Sequence, residues 1–404
     1  MLPVLFLSTA LHVVTVAQVF TVPAIAPAMA ATLGVSESLV GAQVILVYMA
    51  AMVASMFAGS LVVQVGAVRA TQLSLVGAAI GLGLSAIPSV VVVVTASLLL
   101  GAAYGLVNPA TGQMLDSGID PARRGTAFSI KQSAVPVGGV LAGAIAPVIA
   151  VSIGWQGSLL AMAASAVAGA LLLETRRHWF PFQRPPSGRE STRPFRDVHV
   201  ILQTPALRFT CLAVAAFAGV QLILTTYLVT ILVQHVGLGL VAAGVALSFF
   251  NGGGMVGRFG WGLASDAVPG SLVLAFVFGL SLMLLLVFPF VEADWPIVLL
   301  HGFVAAMGIA VAGWAGVFVS EVLRLAPPNE SARAIAGGYV FTFGGGLGGL
   351  GCFLLGFHVL GSYGATLWIV AAMATVGFLL SLKAASILAV SRHLRALPGA
   401  KQPR

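Results

Sequence analysis

Gly59-Ser-Leu-Val-Val-Gln-Val-Gly66-Ala-Val-Arg69 ends one apolar run and turns into the next, and Gly257-Arg258-Phe-Gly-Trp-Gly262-Leu-Ala-Ser-Asp266 does the same in the second half of the chain. Gly59 and Gly262 stand 203 residues apart. Arg124-Gly-Thr-Ala127 opens a later apolar run, and Arg333-Ala-Ile-Ala336 opens its counterpart 209 residues on. Two cassettes in the same order at nearly the same offset describe an internal repeat. Each copy holds six apolar runs, an even number, so the two copies run in the same direction.

Composition says what solvent these runs meet. The chain is 59% hydrophobic and 7% charged over 404 residues. A soluble domain carries about a quarter charged residues. No soluble core could bury so much apolar surface, so the solvent is lipid. The apolar runs are 5–28, 39–62, 71–88, 92–115, 126–150, 156–174, 207–234, 241–264, 271–291, 296–323, 335–357 and 364–389, each near the length a bilayer requires. The expected class is an all-α membrane protein, twelve transmembrane helices in two pseudo-symmetric six-helix bundles. Residues 1–174 form the first bundle and 207–404 the second, which ends in a short basic tail. Between them, 175–206 carries Pro181, Pro185, Pro186, Pro194 and a cluster of arginines, and reads as a solvated linker. Ala28-Met29-Ala30 imitates a cleavage site. The run before it lacks a basic leader and is longer than a signal core, so it reads as a retained first helix.

The basic residues orient the chain. With the N-terminus in the cytoplasm, all but Lys131 and Arg258 of the 19 lysines and arginines fall in cytoplasmic segments. Both termini are then cytoplasmic, and a bacterial-type inner membrane is the expected location. The net charge of +8 belongs to this membrane face, where anionic headgroups attract it, and not to a nucleic-acid site. Cys211 and Cys352 lie inside runs and imply neither a disulfide nor a metal site.

Twelve spans, a central basic loop and the repeated cassette resemble the major facilitator superfamily of secondary transporters over the whole chain. The family's loop signature is G-x-x-x-D-R-x-G-x-R/K-R/K. Gly59, Gly66 and Arg69 match it, with Val63 and Gln64 in place of the acid and the first arginine. The second copy keeps the acid as Asp266. The fifth span, Ser129-Ile-Lys131-Gln132-Ser133-Ala-Val-Pro136-Val-Gly138-Gly139, is similar to that of a bacterial subset near the cyanate and nitroimidazole permeases. It also partly matches the G-P-x-x-G-G antiporter motif. The resemblance implies that spans one, two, four, five, seven, eight, ten and eleven line a central cavity. It implies gating roles for Arg69, Arg124, Arg258, Asp266 and Arg333.

Polar residues within the spans are the candidate site. Lys131 lies about two turns beyond Arg124, roughly 10 Å into the bilayer. An embedded cation is a functional candidate by default, with snorkelling or pairing to Asp116 or Asp120 as the structural alternative. Its proposed role is to hold an anionic group, with Gln132 beside it. His12 and Gln18 in span one, Tyr48 in span two, Tyr104 and Asn108 in span four, Gln221 and Thr225 in span seven and Asn251 in span eight complete the substrate-binding set. Each of them could equally bond a neighbouring helix. No Asp or Glu lies mid-span, so the deep titratable groups are His12, Lys131 and His301, the candidates for proton coupling. A cavity of that sign favours anions or neutral solutes over cations.

The expectation is an alternating-access transporter, acting as a monomer, with a proton-coupled small organic anion such as a monocarboxylate as cargo. Efflux of a neutral or amphipathic compound by proton antiport is the alternative. An enzyme would need an embedded metal or acid–base constellation, and no H-E-x-x-H or phosphate-binding loop occurs in the sequence, so no cofactor is expected.

Overall fold

The structure is a computed structural model and describes residues 2–36, 39–116, 130–180, 194–327 and 330–396. The helices are α1 Leu2–Leu33, α2 Leu39–Val65, α3 Ala67–Leu84, α4 Val90–Asp116, α5 Ala134–Thr175, α6 Pro194–Gln203, α7 Pro205–Gln234, α8 Leu240–Ala267, α9 Gly270–Val287, α10 Ile297–Val311, α11 Ala315–Leu325, α12 Ser331–Leu360 and α13 Tyr363–Ala396. Among the described residues, 10 helical segments are long and apolar enough to cross a membrane, and the first apolar stretch of α2, Leu39–Ser55, is shorter. The segment containing α5 breaks at Gly154, whose φ of 87° only glycine adopts without strain. With α2 added and α5 divided there, the passes number twelve, as the hydropathy pattern requires.

Two departures have physical causes. The interval read as a solvated linker contains α6, whose Val200 and Ile201 are buried and which packs against α12. The tenth apolar run breaks at residues 312–314 into α10 and α11. Helix α8 passes so close there that a Cβ on Gly313 would lie 2.9 Å from the Gly257 Cα. The freed carbonyls find side-chain donors. Arg258 Nε donates to Ala312 O at 3.3 Å, and Trp261 Nε1 donates to Ile309 O at 2.8 Å. A helix interruption inside a membrane needs such partners, because lipid offers none.

The chain divides into two compact units. One comprises Met1–Glu190, Thr225–Gly252 and Glu292–His301. Its tightest seams are lined by glycine. A Cβ on Gly101 or Gly105 of α4 would run into the Val47 or Ala51 carbonyl of α2, and one on Gly81 of α3 would sit 3.0 Å from the Ala96 carbonyl. Val16, Phe20 and Ala142 join α1 to α5, and Ala58, Val62, Ala70, Leu106 and Ala110 join α2, α3 and α4. The other comprises Ser191–Leu224, Gly253–Val291 and Gly302–Arg404. In it, Gly253 and Gly257 of α8 press on the Ala305 and Ile309 carbonyls of α10, and Gly345 of α12 presses on that of Ala215 in α7. Phe217 stacks on Phe278 at 3.7 Å between ring centroids.

These seams give a sharp contrast. Gly105→Leu should overpack the α2–α4 crossing and cost about 1–3 kcal/mol, read as a lower melting temperature of the purified protein. Gly83→Ala, with no atom within 4 Å of the added methyl, should be neutral or slightly stabilising.

Candidate functional site

Lys131 sits in a single helical turn ahead of α5, closed by the Ser133 N–H donating to the Ile130 carbonyl at 3.1 Å. It is 1% exposed, among the largest fully buried side chains of the described residues. Its ammonium crosses to α4 and donates to Asn108 twice, to Oδ1 at 2.6 Å and to the backbone oxygen at 2.9 Å. Both partners are neutral. No ion pair to Lys131 occurs among the described residues, and the side chains of Asp116 and Asp120 lie outside them. Asn108 itself is exposed, so the charge is covered by a residue that opens to space free of protein. Gln132 points elsewhere and is exposed, since consecutive helical residues diverge by about 100°. The partner expected of it is Asn108 instead.

The surroundings of Lys131 are polar and incompletely bonded. His12 on α1 is 2% exposed, lies within electrostatic range of Lys131, and has an Nδ1 without a hydrogen-bond partner. Gln18, further along α1, is wholly buried with neither amide atom bonded, whereas Thr15 between them is satisfied by the Leu11 carbonyl. One turn before Asn108, Tyr104 packs on the Val16–Phe20–Ala142 cluster and meets Tyr48 of α2 edge to face, at 5.9 Å and 63°. A line of polar groups therefore runs through α1, α2, α4 and the start of the fifth span. In lipid such groups need partners, and the vacant capacity at His12 and Gln18 is what a ligand could fill.

The other candidates are placed variously. Asn251 is buried against Gly139 of α5, closely enough that a Cβ there would collide with its amide, and its Nδ2 donates to Leu247 O at 3.0 Å. Thr225 is buried in the same unit as Lys131, while Gln221 belongs to the other. His301 stacks on Phe249 at 4.8 Å with Nε2 unbonded. Arg69 is paired with Glu174 at 2.9 Å, and Gln72 binds the same carboxylate oxygen. Arg258 bonds a broken helix end, and Asp266 is exposed with no described ion pair to it. Arg124 lies outside the described residues, as does the side chain of Arg333. Among the described residues no His, Cys, Asp and Glu gather as a metal site.

Three residues here were not foreseen from sequence. Glu174, at the end of α5, is the acid that Arg69 meets. Glu321 is 1% exposed, its carboxylate held by Arg324 one turn on. Tyr227 of α7 takes the Gly41 N–H of α2 on its hydroxyl at 3.1 Å. That N–H lies in the first turn of its helix, where no intrahelical acceptor exists. In the same unit, Ser248 Oγ of α8 donates to the Val140 carbonyl of α5 at 2.9 Å, and Gly244 packs against Pro147. Helices from the two sequence repeats thus meet at 41 with 227 and at 139–147 with 244–251.

A sequence profile described as the Major Facilitator Superfamily matches residues 7–349. No curated protein matches the sequence. Among solved structures, a nucleoside transporter, NupG, superposes with a TM-score of 0.76 at 15% identity, over 94% of this chain and 99% of that one. A bacterial homologue of the human lysosomal transporter Spinster, inward-facing and occupied, gives 0.71 at 14% identity over 95% and 96% of the two chains. A peptide transporter, POT, in complex with sulfate gives 0.71 at 17% identity over 95% and 94%. At these identities the likeness is one of fold.

The neutral company of Lys131 has a measurable consequence. Lys131→Met removes a buried charge and should leave the ligand-free protein at least as thermostable as the wild type. Asn108→Leu strips the ammonium of its side-chain acceptor and should destabilise by about 1.5–3 kcal/mol. A melting-temperature comparison of the two variants checks both signs.

Proposed function

Because the chain belongs to the major facilitator superfamily of secondary transporters, we propose that it carries a small organic anion, such as a monocarboxylate, in symport with protons. The single observation that carries this reading is the buried Lys131 ammonium, whose partners among the described residues are an amide oxygen and a carbonyl oxygen, both neutral. Burying an ammonium is costly unless a counterion compensates it. A carboxylate arriving at Asn108 supplies that counterion, and Asn108 Nδ2 can donate to its second oxygen. The partly unbonded His12 and Gln18 extend the site with further donors.

His12 offers the coupling. Two cations side by side repel, and an anion between them offsets the repulsion, so anion and proton favour each other's binding. His301, stacked on an aromatic ring, is the second proton candidate. Alternating access requires the contacts at Gly41–Tyr227 and Gly139–Asn251 to part when that end of the molecule opens. Glycine seams and neutral hydrogen bonds, such as Gly41–Tyr227 and Ser248–Val140, are weaker than ion pairs and suit repeated breaking. The orientation follows the basic residues, with both termini in the cytoplasm of a bacterial-type inner membrane.

The test is ligand-dependent thermal stabilisation, wild type beside Lys131→Ala, followed by uptake into proteoliposomes. A monocarboxylate at a hundred times its Kd should stabilise the wild type by about 2.7 kcal/mol and leave the variant unmoved. Uptake should rise with an inward proton gradient and collapse with a protonophore. Stabilisation by lipophilic cations or neutral amphiphiles, equal in both proteins, would overturn the anion reading in favour of efflux by antiport.

A further inference from the structure

The bond from Lys131 to Asn108 is one rung between the fourth and fifth spans, which as consecutive passes run in opposite directions. Lys131 lies in the turn that leads into α5, and Asn108 lies on α4. One turn deeper, four residues after Lys131 and four before Asn108, stand Val135 and Tyr104. Both pack against the same cluster, Val16 and Phe20 of α1 with Ala142 of α5. A charged rung and an apolar, aromatic rung thus follow each other at about 5.4 Å along the helices.

Both rungs are open on one side. Asn108 is exposed, and Tyr104 and Val135 are each half-buried. The open side of Tyr104 is not the lipid face of α4. At about 100° per residue, the exposed Leu98 and Leu99 lie roughly 120–140° around the helix from it. An exposed amide that holds an ammonium also requires water or a polar ligand beside it, which acyl chains do not supply. Tyr104 meets Tyr48 of α2 edge to face, and Tyr48 is half-buried as well. The second rung therefore presents aromatic surface to the same open space as the first.

We propose that the cargo is an aryl-substituted monocarboxylate, with an aromatic ring joined to the carboxylate through one or two carbons, and that Tyr104 is the residue that selects the ring. This rests on the anion reading above and adds what lies behind the carboxylate. The carboxylate meets Lys131 and Asn108. The ring lies against Tyr104, with Val135 on the other wall. A two-carbon acid reaches only the charged rung and leaves the half-buried second rung uncovered. A second carboxylate would fall on Val135 and Tyr104, an apolar side chain and a ring, and would be desolvated without a cation. A saturated ring covers the same surface as an aromatic one but lacks the edge-to-face attraction that an aromatic pair adds to area burial.

The experiment takes apparent Kd values from thermal stabilisation of the full-length purified protein at neutral pH by acetate, cyclohexylacetate and phenylacetate. Phenylacetate should bind about 2–10-fold more tightly than cyclohexylacetate, and at least about tenfold more tightly than acetate. Tyr104→Leu should remove the preference for phenylacetate over cyclohexylacetate. Val135→Phe, which fills the same turn from the α5 side, should weaken phenylacetate relative to acetate, and it reads the second rung even where the tyrosine variant does not fold. Stabilisation by none of the three, equal binding of acetate and phenylacetate, or a ring preference that survives Tyr104→Leu would each overturn the proposal. The last two leave the anion reading standing where Lys131→Ala abolishes stabilisation. Stabilisation that survives Lys131→Ala overturns the anion reading itself, and the proposal with it.

Discussion

Close backbone approach at glycine holds these helices together. In lipid the hydrophobic effect does not drive one helix against another, because the acyl chains are as apolar as leucine. What remains is dispersion and weak polar contact, and both require the backbones to come near. The crossings of α2 with α4 and of α8 with α10 meet this need in related ways. Gly101 and Gly105 are four residues apart on α4, and Gly253 and Gly257 are four apart on α8. The sequence repeat makes α2 equivalent to α8, and the fourth span equivalent to the tenth. The glycine pair therefore sits on opposite partners of an equivalent crossing, so the two repeats share the constraint rather than the residues that meet it.

That constraint also explains the polar chemistry. Once helices touch at their backbones, the side chains beside the seam have little room and no water. Beside the α8–α10 seam, Trp261 and Arg258 reach the carbonyls freed where α10 ends, whereas Lys131 reaches Asn108 of α4 from the helical turn ahead of α5. The two cations differ in what satisfies them. Arg258 bonds a fixed element of the backbone and holds a broken helix in place. Lys131 bonds both the amide oxygen and the backbone oxygen of Asn108, a residue that is itself exposed.

Much of this was legible in the sequence, for reasons that can be stated. The passes follow from hydropathy, because lipid imposes a length on every helix that crosses it. The exception of Lys131 was visible for the same reason, since a charge inside an apolar run stands out. Its partner was not. Gln132 is adjacent in sequence but diverges around the helix, while Asn108 is 23 residues away and adjacent only through packing. The break at 312–314 was hidden because each residue of Ala312-Gly313-Trp314 is compatible with an apolar run, and only the passage of α8 decides it. Glu174 looked like an ordinary helix end until Arg69 and Gln72 met on it.

The sign of the embedded groups carries the argument one step further. Lys131, His12 and His301 can each bear positive charge or none, and the spans offer no mid-membrane carboxylate. A transporter that must recross the membrane empty carries whatever fixed charge its site retains, against or with the membrane potential. If Lys131 travels with its own anion, the loaded site is near neutral. A proton on a histidine then adds one charge to the loaded form, and releasing proton and anion together restores the unloaded one. Symport of an anion with a proton would let such a site cycle with the smallest change in charge, whereas a cation would meet the positive Lys131 with no mid-span carboxylate to offset it.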